Sequence, residues 1–229
     1  MEGRDGGDGA RVRRRTILRR VRHGVASAVL VVLAVALPGA AGAAPGDLDP
    51  SFGNGSIVTT DFGTGAHAYA LAILPNGKII AAGGAGSQHF ALARDLPAGS
   101  LDPVFDGDGI VTTDLGADDF ALAIAIEPGG KLVVTGVTGP NNPAVAFEID
   151  TMTVARYQVD GSLDPTFRTD GTVTTDFGST SAGWDVAVQA DGRIVVAGRA
   201  EVDGFSHLAI ARYLGAPCCI DGVGSAGVP

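Results

Sequence analysis

Residues 48–63 read Leu48-Asp-Pro-Ser-Phe52-Gly-Asn-Gly-Ser-Ile-Val58-Thr-Thr-Asp-Phe-Gly63. The frame returns as Leu101-Asp-Pro-Val-Phe105 with Val111-Thr-Thr-Asp-Leu-Gly116, and again as Leu163-Asp-Pro-Thr-Phe167 with Val173-Thr-Thr-Asp-Phe-Gly178. Both strings recur at the same offsets, 53 and then 62 residues. A third element keeps that register: the stretches Ala70 to Gly83, Leu122 to Gly136 and Asp185 to Gly198, which turn at Gly77, Gly130 and Gly192. Each unit closes on an alternating run that ends in arginine, at Arg94, Arg156 and Arg212. Self-similarity at a period of about 50–60 residues marks a repeat architecture, in which each unit buries its apolar face against its neighbour.

Within a unit the pattern is that of four short strands. The Val-Thr-Thr run is rich in β-branched residues. Two strands then form a hairpin around Asn76-Gly77, Gly129-Gly130 or Asp191-Gly192, whose glycines supply the positive φ of a tight turn. The arginine-terminated run is the fourth. The expected fold is all-β and β-propeller-like, with three four-stranded antiparallel blades over residues 46–98, 99–160 and 161–214. Unequal spacing has a local cause, an insertion at Val137 to Asp150 in the second unit. Closed propellers usually need roughly four to eight blades. Three therefore predict an incomplete ring, a ring completed by a homodimer, or a piece of a longer chain.

The combination of Gly-Ser-Leu-Asp-Pro-x-Phe, the Asp/Asn-Gly-Lys/Arg hairpin with its Ile-Val-Val-Ala-Gly return, and Ala-Arg-Tyr resembles the delta-60 repeat family of secreted bacterial proteins. The resemblance covers about residues 46–214. It implies a β-propeller architecture and no particular reaction. Departures are local: Asp95-Leu96 where Tyr157 and Tyr213 follow the other arginines, Arg168 where Gly53 follows Phe52, and Gly129 at the turn Asp/Asn position.

Charge divides the chain. Of 16 Lys and Arg, eight precede residue 44, and only three acids accompany them; residues 44–229 carry 8 basic against 22 acidic side chains. An acidic surface repels phosphate backbones, so nucleic acid is excluded as an expected partner. The basic stretch runs into apolar Val25 to Leu37 and then into Ala41-Gly42-Ala43. That order is a secretory signal peptide over residues 1–43, and the 13-residue apolar run is shorter than the ~20 a spanning helix needs. An uncleaved segment would be the chain's sole attachment to a membrane. The expected location is extracellular, cell-surface or periplasmic. General secretion is the expected route, with the twin-arginine pathway as alternative on Arg14-Arg15-Thr16-Ile17-Leu18-Arg19. The two cysteines, Cys218 and Cys219, sit together in a Gly-rich stretch, residues 215–229, which reads as a flexible tail and supplies no disulfide framework.

Few residues carry chemistry. Asp49, Asp102 and Asp164 occur once per unit, as do Arg94, Arg156 and Arg212 and the turn glycines Gly77, Gly130 and Gly192. A group required in every blade reads as structural, through Arg–Asp pairing and turn-capping carboxylates, with a ring of arginines around a channel as the alternative. No motif calls for a cofactor. Asp102, Asp106 and Asp108 form the one calcium candidate, against which a plain turn is the favoured reading. There is no Gly-x-Ser-x-Gly nucleophile elbow and no zinc-type cluster among His67, His89 and His207. Tyr69, Phe120 and Trp184 read as blade-packing aromatics, with a sugar-stacking platform the minority option. The balance favours a non-enzymatic binding or scaffold module for a protein or carbohydrate ligand. The alternative is a polysaccharide hydrolase or lyase working through carboxylates, with Glu127 and Glu148 as the acids to test.

Overall fold

The computed structural model describes residues 44–86, 89–116, 118–139 and 150–215. The export segment, most of the insertion including Glu148, and the Cys218-Cys219 pair lie outside the described residues. Eleven strands form three antiparallel sheets, and no helix occurs among the described residues. The first sheet contains β1 (Ala66–Ile73), β2 (Ile79–Ala85), β3 (His89–Asp95) and β4 (Ile110–Thr113) in that order. The second contains β5 (Asp118–Ile126), β6 (Leu132–Gly139), β7 (Thr151–Tyr157) and β8 (Thr172–Thr175). The third contains β9 (Ser181–Val188), β10 (Ile194–Val202) and β11 (Phe205–Tyr213).

One expectation is corrected by the pairing. The second and third Val-Thr-Thr runs close the sheet of the preceding unit instead of opening their own. Val111 lies opposite Leu92 and Thr113 opposite Phe90; Val173 lies opposite Val154 and Thr175 opposite Met152. The first run, Val58 to Thr60, is in no strand, and the third sheet has three strands because no fourth run follows it among the described residues. The physical reason is chain direction. After its arginine the chain turns through the Leu-Asp-Pro loop and comes back antiparallel along the strand it has just left.

Each hairpin carries a bulge in its first strand. Tyr69, Leu122 and Trp184 stand unpaired between residues that keep the ladder. Opposite each bulge sits a glycine, Gly83, Gly136 or Gly198, at which an added Cβ would overlap a backbone carbonyl of the bulged strand.

The sheets stack face on face. Strands β1, β5 and β9 pack side by side along one edge of the stack, whereas β4 and β8 form the far edges of their sheets. Alternation sets the two faces of a sheet. Ile80, Ala82, Phe90 and Leu92 of the first sheet meet Ala121, Leu132, Val134, Ala155 and Tyr157 of the second. Val133, Met152 and Val154 on the second sheet's other face meet Val186, Ile194 and Val196 of the third. A fully buried Phe or Leu of this kind contributes roughly 1.5–3 kcal/mol.

Candidate functional site

The residues repeated in every unit converge on the Leu-Asp-Pro turn. Asp102 Oδ1 accepts from the backbone N–H of Val104 at 3.2 Å, an Asx turn that caps the loop. Its Oδ2 receives two cations, Lys78 Nζ at 2.7 Å and Arg94 Nε at 2.6 Å. The Arg94 guanidinium lies 4.5 Å above the centre of the Phe105 ring and also donates to the Val159 carbonyl. Asp102 and Arg94 are both buried.

The next unit repeats the arrangement. Lys131 Nζ and Arg156 Nε stand 2.7 and 2.8 Å from Asp164 Oδ2, and Arg156 lies 4.7 Å over Phe167. Thr166 donates to Asp164 Oδ1 through both its N–H, at 3.0 Å, and its hydroxyl, at 2.8 Å. Burial alone would raise the Asp164 carboxyl; donation from Lys131 and Thr166, with the charge of Arg156, outweighs it and holds the group at about 2. Asp102 is lowered in the same way, its burial being outweighed by Lys78, Val104 and Arg94. Glu127 also faces Arg156, at 3.5 Å from Nη1.

The third member of each set behaves differently. Asp49 is exposed, and its carboxyl is lowered by donation from the Ser51 hydroxyl and N–H. Arg212 is exposed, and Arg193, the counterpart of Lys78 and Lys131, pairs with its neighbour Asp191. Turn residues Gly77, Gly130 and Gly192 have φ of 81°, 89° and 80°, a region that costs any other residue but Asn or Asp steric strain.

The calcium candidates are not brought together. Asp102 is occupied by its two cations, while exposed Asp108 accepts from the Ile110 N–H at 3.0 Å and exposed Asp106 occupies a positive-φ turn position. A different group converges. His89, Asp114 and Asp119 place one ligand atom each within 4.8 Å of one another, the one such group among the described residues. His89 Nδ1 is 3.6 Å from Asp114 Oδ1, and buried Asp119 accepts from the Leu115 N–H at 2.8 Å. Burial raises the Asp119 carboxyl despite that bond. Sequence reasoning did not find this group, because strand pairing, not spacing, joins β3, the end of β4 and the start of β5.

Three segments of the chain, residues 74–105, 128–167 and 189–215, match a family described as a domain of unknown function (DUF5122) beta-propeller. The repeats are propeller blades. No curated protein matches the chain. Each matched segment runs from a hairpin turn through the arginine to the Phe of the next Leu-Asp-Pro loop where there is one. The ion triads therefore lie inside the matched propeller segments.

In propeller terms β1, β5 and β9 are the inner strands, and their bulges decide what the inner edge presents. Tyr69 is 52% exposed and Trp184 55%, so neither is a core residue, and of the two readings, core or blade-packing, only the second fits Tyr69, through Phe120 of the next blade. The bulge takes each out of the ladder, and Trp184 lines an open cavity beside Leu208 on the third sheet's outer face. Phe120 is half-buried and meets the Tyr69 ring edge-on, 6.2 Å between centres, and His67 lies 6.4 Å from the same ring.

Proposed function

We propose that this propeller is an exported, non-enzymatic binding or scaffold module of the delta-60 type. Its ligand contacts rings on the inner edge, and a carbohydrate is the chemistry that fits them. The observation that carries this reading is the pair of exposed aromatics, Tyr69 and Trp184, held outward at equivalent bulges with His67 and Phe120 beside Tyr69. Aromatic faces fixed on a rigid sheet offer large contact area at small entropic cost. Export supports the assignment from the sequence side, since it delivers an acidic chain to a compartment rich in polysaccharide. The cations and carboxylates around Asp102 and Asp164 are engaged with one another, and Glu127 belongs to the second of those sets, which counts against the hydrolase alternative.

Trp184 is the chain's single tryptophan, so its emission reports directly on this edge. Titration with a panel of soluble neutral and basic polysaccharides is expected to shift and saturate that emission for at least one class. Tyr69→Ala should weaken the same binding without changing the circular dichroism of the sheets. No response across the panel, or product release from a polysaccharide that Glu127→Gln abolishes, would overturn the reading.

A further inference from the structure

The two ends of the blade stack carry the two halves of one junction. At the interior junction between the first and second blades, Ile80, Phe90 and Leu92 insert among Phe105, Val111, Leu115, Val134, Ala155 and Tyr157. By repeat position the counterparts of the receiving residues on the first blade are Phe52, Val58, Phe62, Ala81, Ala93 and Asp95. These six line a cavity of about 460 Å³. The counterparts of the inserting residues are Val195, Leu208 and Ile210 on the third blade. Leu208 is 80% exposed and Ile210 62%, whereas Phe90 and Leu92 are fully buried. The slot is at one end of the molecule and the side chains shaped to fill it are at the other.

Two further features are divided in the same way. The outer edge of β11 lacks the Val-Thr-Thr strand that closes the other two sheets, and Val58 to Thr60 lacks the sheet that such a run closes. The ion triad is also split: Lys78–Asp102–Arg94 and Lys131–Asp164–Arg156 are complete, but Arg193 and Arg212 are at one end and Asp49 at the other.

We infer that the occupant of each end is a second copy of this chain. The copies dock head to tail, and the partner's Ile57-Val-Thr-Thr60 adds to β11 as its fourth strand. The register follows from the interior blades: as Thr113 faces Phe90 and Val111 faces Leu92, Thr60 faces Leu208 and Val58 faces Ile210. Asp49 then enters between Arg193 and Arg212, and Phe52 comes beneath the Arg212 guanidinium. Leu208 and Ile210 leave water for the cavity at Ala81 and Ala93. Because the two patches differ, the contact is heterologous, and it ends cleanly where the rotation closes. Two copies supply six blades, inside the usual range for a closed ring of roughly four to eight. The inference goes beyond the ligand proposed above and stands without it.

The test is the mass of the purified full chain by light scattering coupled to size exclusion, alongside a cross-link in the stated register. The expected mass is twice that of the single chain, and Ile210→Asp is expected to halve it. That variant leaves the monomer folded, since the side chain is exposed there, and unchanged circular dichroism shows it. For the cross-link, Thr59→Cys on one copy and Ala209→Cys on another are mixed in a Cys218→Ser, Cys219→Ser background. Thr112 and Ala91 are the corresponding opposed pair within the first blade. The mixture is expected to form a disulfide-linked pair on oxidation, and neither single variant is expected to form that link alone. A single-chain mass overturns the inference, as does a dimer that Ile210→Asp leaves intact or a mixture that does not link 59 to 209.

Discussion

The junction between the first two blades and the outer face of the third are built from the same repeat, yet they differ in almost every physical property. At the junction, Phe90 and Leu92 are dry, Asp102 is clasped by Lys78 and Arg94, and Val111-Thr-Thr closes the sheet. On the third blade, Leu208 and Ile210 face solvent, Arg212 is exposed, and the sheet stops at three strands. The difference teaches that a blade's residues are specified for the neighbour as much as for the blade. Repeat proteins owe stability to interfaces between units as well as to the units themselves. A charge triad or apolar strand is therefore worth little until the next unit arrives.

Breaking the interior side should have the largest effect. Asp164→Ala leaves Lys131 and Arg156 without their shared carboxylate, at a site where Asp164 is fully buried. Removing one partner of a buried charge set costs about 3–5 kcal/mol, to be read as a shift in the urea midpoint with unchanged slope. Asp49→Ala, at the equivalent but exposed position, should leave the midpoint of a dilute monomer where it was. Equal effects at the two sites would show that the triads are not what separates the two regions.

Leu92→Ala comes next. It deletes a side chain packed from both sheets and should lower stability by about 2–5 kcal/mol, whereas Ile210→Ala at the same repeat position should be nearly silent in the monomer. A midpoint series over protein concentration sharpens the contrast, because association would make the Ile210 variant costly only where copies meet. Smaller again is Tyr157→Phe. The Tyr157 hydroxyl is buried and lies 2.8 Å from Thr113 Oγ1, bridging the second blade to the closing strand of the first. Its loss should cost about 1–3 kcal/mol because Thr113 is left without its partner. Tyr213 makes the corresponding contact with Thr175, at 2.6 Å, from a half-buried position, so Tyr213→Phe should cost less.

These contrasts also mark how far the sequence could be read. The hairpins were legible because period-two alternation and Asn76-Gly77 or Asp191-Gly192 are local signals. Arginine and aspartate repeated in step imply pairing, which holds at Arg94–Asp102 and Arg156–Asp164. Which sheet the Val-Thr-Thr run closes was not legible, since β4 lies nearer in sequence to β5 than to β3 yet pairs with β3, and only the turn at Leu-Asp-Pro decides. Trp184 and Tyr69 read as core or blade-packing aromatics because they begin the hairpin strands at similar places in the repeat. A bulge breaks the strand's alternation, and the glycine that accommodates it sits on the partner strand, at Gly198 or Gly83. His89, Asp114 and Asp119 could have been suspected only from the register of three strands.

The smallest effect concerns pH and sets two interior carboxylates against each other. Asp164 has its folded pKa depressed to about 2 from 3.8, so the stability it contributes is fully present above 3.8 and is lost as pH falls toward 2. Asp119 is raised, chiefly by burial, so the sign reverses: it contributes stability while protonated in the fold, and that contribution is lost as pH rises through the interval above 3.8. Stability measured against pH should therefore climb with one group and sag with the other. Asp119→Asn cannot ionise and should reduce the sag, leaving the part due to buried Asp95, which burial also raises, and giving a higher plateau toward neutral pH with the acid limb unchanged. Asp164→Asn should do the opposite, making the acid limb shallower, with Asp102 still contributing to it, and leaving the sag. If Asp119→Asn instead lowers stability at every pH, the carboxylate at that position is needed in its charged form. His89 and Asp114 would then be the first groups to examine for a bound cation, by metal titration of the wild-type chain against that variant.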